Sequence, residues 1–112
     1  MKILVVDDYK ILADLFGQVI GASGHEVRVA YSPQEALNIL KGGFRPEILL
    51  SDTQMPDMSG IELAEVVEEM VPGVKIVLMS GNLRLPEEVN LKPGWLFFSK
   101  TTPQEMLHSL GL

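Results

Sequence analysis

Glu47-Ile48-Leu49-Leu50-Ser51-Asp52 is an apolar run that ends on a carboxylate, and Ile3-Leu4-Val5-Val6-Asp7-Asp8 repeats the pattern near the start of the chain. Nearly continuous apolar runs of this kind suit strands covered on both faces, as in a parallel sheet. In open α/β sheets the C-terminal strand ends form the ligand-binding edge, so Asp7, Asp8 and Asp52 are expected to share it. Carboxylates gathered there repel one another and either take up protons or hold a hard cation such as Mg2+.

Working outward, strand-like runs occur at residues 2–6, 26–30, 47–51, 75–80 and 95–99. Helical patterns separate the first four, and that alternation favours a parallel α/β sheet. Ile11, Leu12, Leu15, Phe16, Val19 and Ile20 recur at helical spacing, and the glycines at 21 and 24 supply a stop. Ser32-Pro33-Gln34-Glu35 places a hydroxyl cap, a proline suited to the first helical turn and a glutamate able to reach back. Gly42-Gly43 ends that helix. Ser59-Gly60-Ile61-Glu62 and Thr102-Pro103-Gln104-Glu105 repeat the start signal, the last with room for about two turns. Between the fourth and fifth strands, Pro86 and Pro93-Gly94 leave at most residues 87–92 for a fourth helix, which is therefore expected to be reduced.

A chain of 112 residues with these elements is read as one domain, residues 1–112. It has no cysteine, which excludes disulfides, thiolate metal sites and cysteine nucleophiles. A formal charge of -6, with few and scattered Lys and Arg, argues against a nucleic-acid or anionic-membrane surface. No apolar stretch reaches spanning length, and Met1-Lys2 opens directly into a strand rather than a secretory segment. A cytoplasmic protein is the expectation.

Alone, Asp7-Asp8 could cap the first helix or solvate a loop, and an aspartate such as Asp52 often follows a strand. The combination with Ser80 at the end of the fourth strand and Lys100 after the fifth says more, because four strand ends then supply one polar constellation. Phosphoryl transfer needs these parts: a carboxylate nucleophile, acids around a cation, a hydroxyl donor and an ammonium facing the transferred oxygens. A phosphoryl group brings about two negative charges into an acidic pocket, so Mg2+ and Lys100 are expected together.

With these residues in place the chain closely resembles the receiver domain of two-component response regulators. The motifs are Leu4-Val5-Val6-Asp7-Asp8, the run from Asp52 through Met55-Pro56 to Gly60, Val77-Leu78-Met79-Ser80-Gly81, and Phe97-Phe98-Ser99-Lys100. The resemblance implies a flavodoxin-like, doubly wound, five-stranded parallel sheet of order 2-1-3-4-5. It makes Asp52 the acceptor of a phosphoryl group from a sensor histidine kinase or histidine phosphotransfer protein. Asp8 and Asp52 would ligate Mg2+, Asp7 would act mainly through water, and the Gln54 carbonyl would complete the set. Ser80 would bond a phosphoryl oxygen and move on activation, and Lys100 would pair with another.

By the same resemblance Phe97 occupies an aromatic switch position, unless it is a plain core residue of its strand. Gln54 and Asn82 border the path of the attacking water and would tune dephosphorylation, unless they are merely solvated. Such a domain is not an enzyme acting on a separate substrate; it catalyses only its own phosphorylation and dephosphorylation. Its output partner is left open. His25 and His108 are read as surface or packing residues. A flavin-binding or phosphatase reading is weaker, since no Ser/Thr/Gly-rich loop follows the first strand and no Asp-x-Asp pair holds the nucleophile.

The chain departs from the family at two places. Proline usually follows the active-site lysine through a cis peptide; here Thr101 does, which implies a strained cis Lys100-Thr101 bond or a trans bond with Lys100 displaced. The reduced fourth helix weakens the usual output face and makes partner contact through the first helix more credible. The rival to a phosphoswitch is a receiver-like interaction module that works without phosphorylation.

Overall fold

Apolar strands alternate with capped helices along the chain, and in the computed structural model they assemble as that alternation requires. Residues 1–80, 92–99 and 102–112 are described. Their elements run β1 (Lys2–Val6), α1 (Lys10–Ala22), β2 (Glu26–Ala30), α2 (Pro33–Lys41), β3 (Ile48–Asp52), α3 (Gly60–Met70), β4 (Lys75–Ser80), β5 (Leu96–Ser99) and α4 (Pro103–Ser109). The strands form one sheet in the order β2-β1-β3-β4-β5, with all four pairings parallel. The fold is flavodoxin-like, as expected. The short helix expected within 87–92 lies, apart from Lys92, outside the described residues, as do Asn82, Lys100 and the Lys100-Thr101 peptide bond.

β3 runs to Asp52 itself, one residue later at each end than the sequence suggests. The acid thus stands on the last rung of the ladder, opposite Met79. β5 starts after Trp95, whose backbone N–H closes a turn onto the Lys92 carbonyl at 3.1 Å. Pro93 and Gly94, with φ 89°, suit the two central positions of such a turn.

Side chains alternate across the sheet and build two cores. Leu4, Val6, Leu49, Ile76 and Leu78 pack beneath α2 and α3 with Ala36, Leu40, Leu63 and Val67. Ile3, Val5, Leu50, Val77 and Met79 pack beneath α1 and α4 with Phe16, Ile20, Met106 and Leu107. The central strands β1, β3 and β4 are buried almost throughout, whereas the edge strand β2 is only half covered. Two-sided burial explains why the central three read as continuous apolar runs.

Three helix starts behave as their sequences predict: Ser32, Ser59 and Thr102 each accept the backbone N–H three residues on, from Glu35, Glu62 and Glu105. The exception is α1, whose cap position is Tyr9 and carries no side-chain capping bond. Its apolar face also differs from expectation. Ala13, Phe16 and Ile20 are buried, but Ile11 is 72% and Leu15 44% exposed.

Candidate phosphoacceptor site

The register that lines up β1 and β3 decides where the acids meet. Val6 pairs with Ser51, so the next residues, Asp7 and Asp52, leave neighbouring strands side by side. Asp7 and Asp52 are buried, 0% and 7% exposed, while Asp8 faces solvent. One carboxylate oxygen from each of Asp7, Asp8 and Asp52 lies within 4.8 Å of the others. Oxygens around one Mg2+ stand about 3–4 Å apart when its bonds are ~2.1 Å, so small side-chain shifts would gather these acids around one such ion, directly or through its waters. An all-oxygen, anionic donor set of this kind selects a hard cation.

Backbone amides orient two of the acids. Asp7 Oδ1 accepts the N–H of Tyr9 at 3.0 Å, and the Asp7 N–H donates to the Ala30 carbonyl at 3.1 Å, which extends the β1–β2 ladder one residue beyond Val6. The bond to Tyr9 explains why Asp7 does not serve as a cap in the ordinary sense: its carboxylate turns the chain before α1 starts. Asp52 Oδ1 accepts the N–H of Gln54 at 3.3 Å, which brings the exposed Gln54 to the mouth of the site.

The loop after Asp52 is pinned at both ends. Thr53 donates its N–H to Met79 O at 2.9 Å, and Gly60 donates to Thr53 O at 3.0 Å. Gly60 opens α3 so close to β3 that a Cβ on it would stand 1.9 Å from the Asp52 carbonyl oxygen. Only glycine fits there. Between them the chain turns sharply at Asp57, which has φ 73°, with the Met58 N–H bonded to Pro56 O at 2.8 Å, a γ-turn. The Asp52 carbonyl also accepts the hydroxyl of Ser51 at 2.9 Å.

Of the other expected residues, Ser80 ends β4 one residue past Met79, the partner of Asp52, and is 3% exposed. It stands at the same edge of the sheet as the acids. Phe97 pairs with Leu78 in the sheet and packs, half-buried, against the core beneath α3. His25 lies with its Nδ1 3.1 Å from the N-terminal amine, and His108 is exposed on α4; neither belongs to the acidic edge. The role of Gly60 as a close-approach residue and the Ser51 bond went unnoticed in the sequence, although Gly60 closes the motif that begins at Asp52. Among the described residues no helix is long and apolar enough to cross a membrane.

Known proteins resemble this chain in sequence and in fold. The chain is 30% identical over 111 residues to the DNA-binding transcriptional regulator NtrC of Proteus hauseri, covering 99% of this chain and 23% of that protein. It is 32% identical over 88 residues to the sensor histidine kinase RcsC of Salmonella typhimurium, 79% of this chain and 9% of the kinase. The chain therefore spans less than a quarter of either relative. The crystal structure of a CheY-like response regulator receiver domain protein from Methanospirillum hungatei superposes with a TM-score of 0.86 at 29% identity, covering 98% of this chain and 90% of that one. TrrA of Thermotoga maritima, solved in complex with Mg(2+)-BeF, superposes with a TM-score of 0.83 at 24% identity, covering 98% and 95%. With the sheet order, the acids at its C-terminal edge and a match to the response regulator receiver domain over residues 3–109, the chain belongs to the receiver domain family of two-component signalling.

Proposed function

We propose that Asp52 accepts a phosphoryl group from the phosphohistidine of a sensor histidine kinase or histidine phosphotransfer protein, and that the acyl phosphate shifts the domain between two conformations. The observation that carries this is the grouping of buried Asp52 with Asp7 and Asp8 at the end of parallel strands. An Asp52 carboxylate oxygen attacks phosphorus in line; the P–N bond breaks as the new P–O bond forms, and the electron pair returns to the imidazole nitrogen. Asp8, Asp52 and the Gln54 carbonyl would hold Mg2+, with Asp7 acting mainly through water. Bound there, the cation supplies electrostatic neutralisation of the transferred oxygens.

Ser80 would donate its hydroxyl to one phosphoryl oxygen and Lys100 would pair with another, so that the charge on the phosphoryl group meets a hydroxyl donor and an ammonium. Movement of Ser80 toward the phosphoryl group, with Phe97 repacking on the neighbouring strand, is the switch. Gln54 at the mouth, together with Asn82, governs access of the hydrolytic water. The domain turns over no separate substrate, and we place it in the cytoplasm.

Membership of a family shared with NtrC and RcsC implies kinase partners. The exposed apolar residues Ile11 and Leu15 on α1, which starts beside Asp7 and Asp8, offer the donor a docking strip. Incubation with Mg2+ and acetyl phosphate, or with a phosphorylated kinase domain, should add one phosphate to wild type and none to Asp52→Asn, read by intact mass. If wild type gains none from either donor, the phosphorylation-independent interaction module becomes the better reading.

A further inference from the structure

Ser51 stands in a layer where its neighbours are apolar. On the flanking strands it pairs with Val6 and Leu78, both 0% exposed, and it is itself 0% exposed. A buried hydroxyl is costly unless bonded. Ser51 donates to the carbonyl oxygen of Asp52 at 2.9 Å, the oxygen against which Gly60 packs. The peptide that carries the acceptor is thereby fixed from two sides, by a hydrogen bond from the strand and by the backbone at the start of α3. The Thr53 N–H, on the same peptide, is tied to Met79 of β4.

From this geometry we infer that Ser51 is a positioning residue for phosphoryl acceptance. Its hydroxyl holds the Asp52 peptide plane, and with it the direction in which the carboxylate leaves the strand. The inference rests on the reading of Asp52 as acceptor. In-line attack tolerates little misdirection, so loosening this peptide slows the chemical step more than it weakens the fold.

The test is the rate of Asp52 phosphorylation by acetyl phosphate with Mg2+, followed by intact mass over a range of donor concentrations, with urea unfolding of each variant alongside. Ser51→Ala is expected to lower the maximal rate about three- to tenfold, the range for one lost hydrogen bond, with the half-saturating donor concentration unchanged. Ser51→Thr, which keeps the hydroxyl, should stay within about twofold of wild type, since the same bond remains available. Should Ser51→Ala fold poorly, Ser51→Cys, close in volume but a weak donor, is expected to show the same loss. A wild-type rate in a folded Ala or Cys variant overturns the inference and leaves the acceptor reading intact. Loss in Ser51→Thr equal to that in Ser51→Ala assigns the effect to packing and overturns it too. A wild-type protein that takes up no phosphate either from acetyl phosphate or from a phosphorylated kinase domain removes both.

Discussion

At the end of β2, Tyr31 donates its hydroxyl to Asp14 on α1, and Lys10 Nζ lies 5.4 Å from the centroid of its ring. The hydrogen bond to Asp14, followed by partial desolvation and the nearby carboxylate charges of Asp14 and Glu35, raises the Tyr31 pKa above 10.0. Ionising the phenol removes its proton donor and sets two anions together. With the folded pKa above the unfolded one, the stabilisation from this contact is fully present below about pH 10 and is lost as pH rises through the folded value. An absorbance titration should therefore show a tyrosine that ionises above the ordinary tyrosine range, and Asp14→Asn should remove that delay; an unchanged titration in Asp14→Asn would contradict the contact. Sequence did not reveal this pair, because Tyr31 and Asp14 are 17 residues apart on different elements. The acids were legible for the opposite reason: each ends a recognisable apolar run, and strand polarity alone sends such ends to one edge. Ser51 lies between these cases. Its place in β3 was clear, but its partner depends on a hydroxyl rotamer and on the path of the chain beyond Asp52.

At the scale of elements, local chemistry announced most boundaries. A hydroxyl followed three residues later by glutamate marked α2, α3 and α4, since capping involves only neighbours in sequence. Periodicity was less informative on α1, where Ile11 and Leu15 share the spacing of core residues yet stay exposed. Helical spacing measures the width of an apolar stripe, whereas its covering is decided by the angle at which the helix meets the sheet. Gly60 shows the same limit at a junction. As a residue beside Ser59 it reads only as part of a helix start; in the folded chain it lets α3 rest on the end of β3. Gly60→Ala would drive a methyl group to within 1.9 Å of the Asp52 carbonyl, so α3 must withdraw or β3 must bend. The expected cost is about 2–3 kcal/mol, the range for overpacking a site that cannot relax, measured by urea denaturation. Mg2+ affinity should fall with it, because the displaced backbone carries Asp52 and Gln54, the ligands proposed above. A Gly60→Ala protein of wild-type stability would show that the close approach is not needed.

Across the whole molecule, a net charge of -6 and three acids at one sheet edge mean that the fold works against its own electrostatics to build the site. That opposition should be measurable. Binding of Mg2+ only to the folded chain stabilises it by mass action, about 2.7 kcal/mol at a hundredfold excess over Kd, whereas Na+ at equal ionic strength only screens. Thermal unfolding should thus shift upward with Mg2+ well beyond the shift with Na+. Asp8→Asn separates the two contributions: it removes a like charge from beside Asp7 and Asp52, so the metal-free protein should melt higher than wild type, and it removes a proposed ligand, so the Mg2+ increment should largely vanish. Equal responses to Mg2+ in wild type and Asp8→Asn would detach Asp8 from the metal, and a lower metal-free Tm in the variant would mean that Asp8 stabilises the edge rather than straining it. The expected crossing of the two curves, variant higher without metal and wild type higher with it, follows from one fact of topology: parallel register brings β1 and β3 to an end together, so the charges that the proposed function requires must be neighbours before any cation arrives.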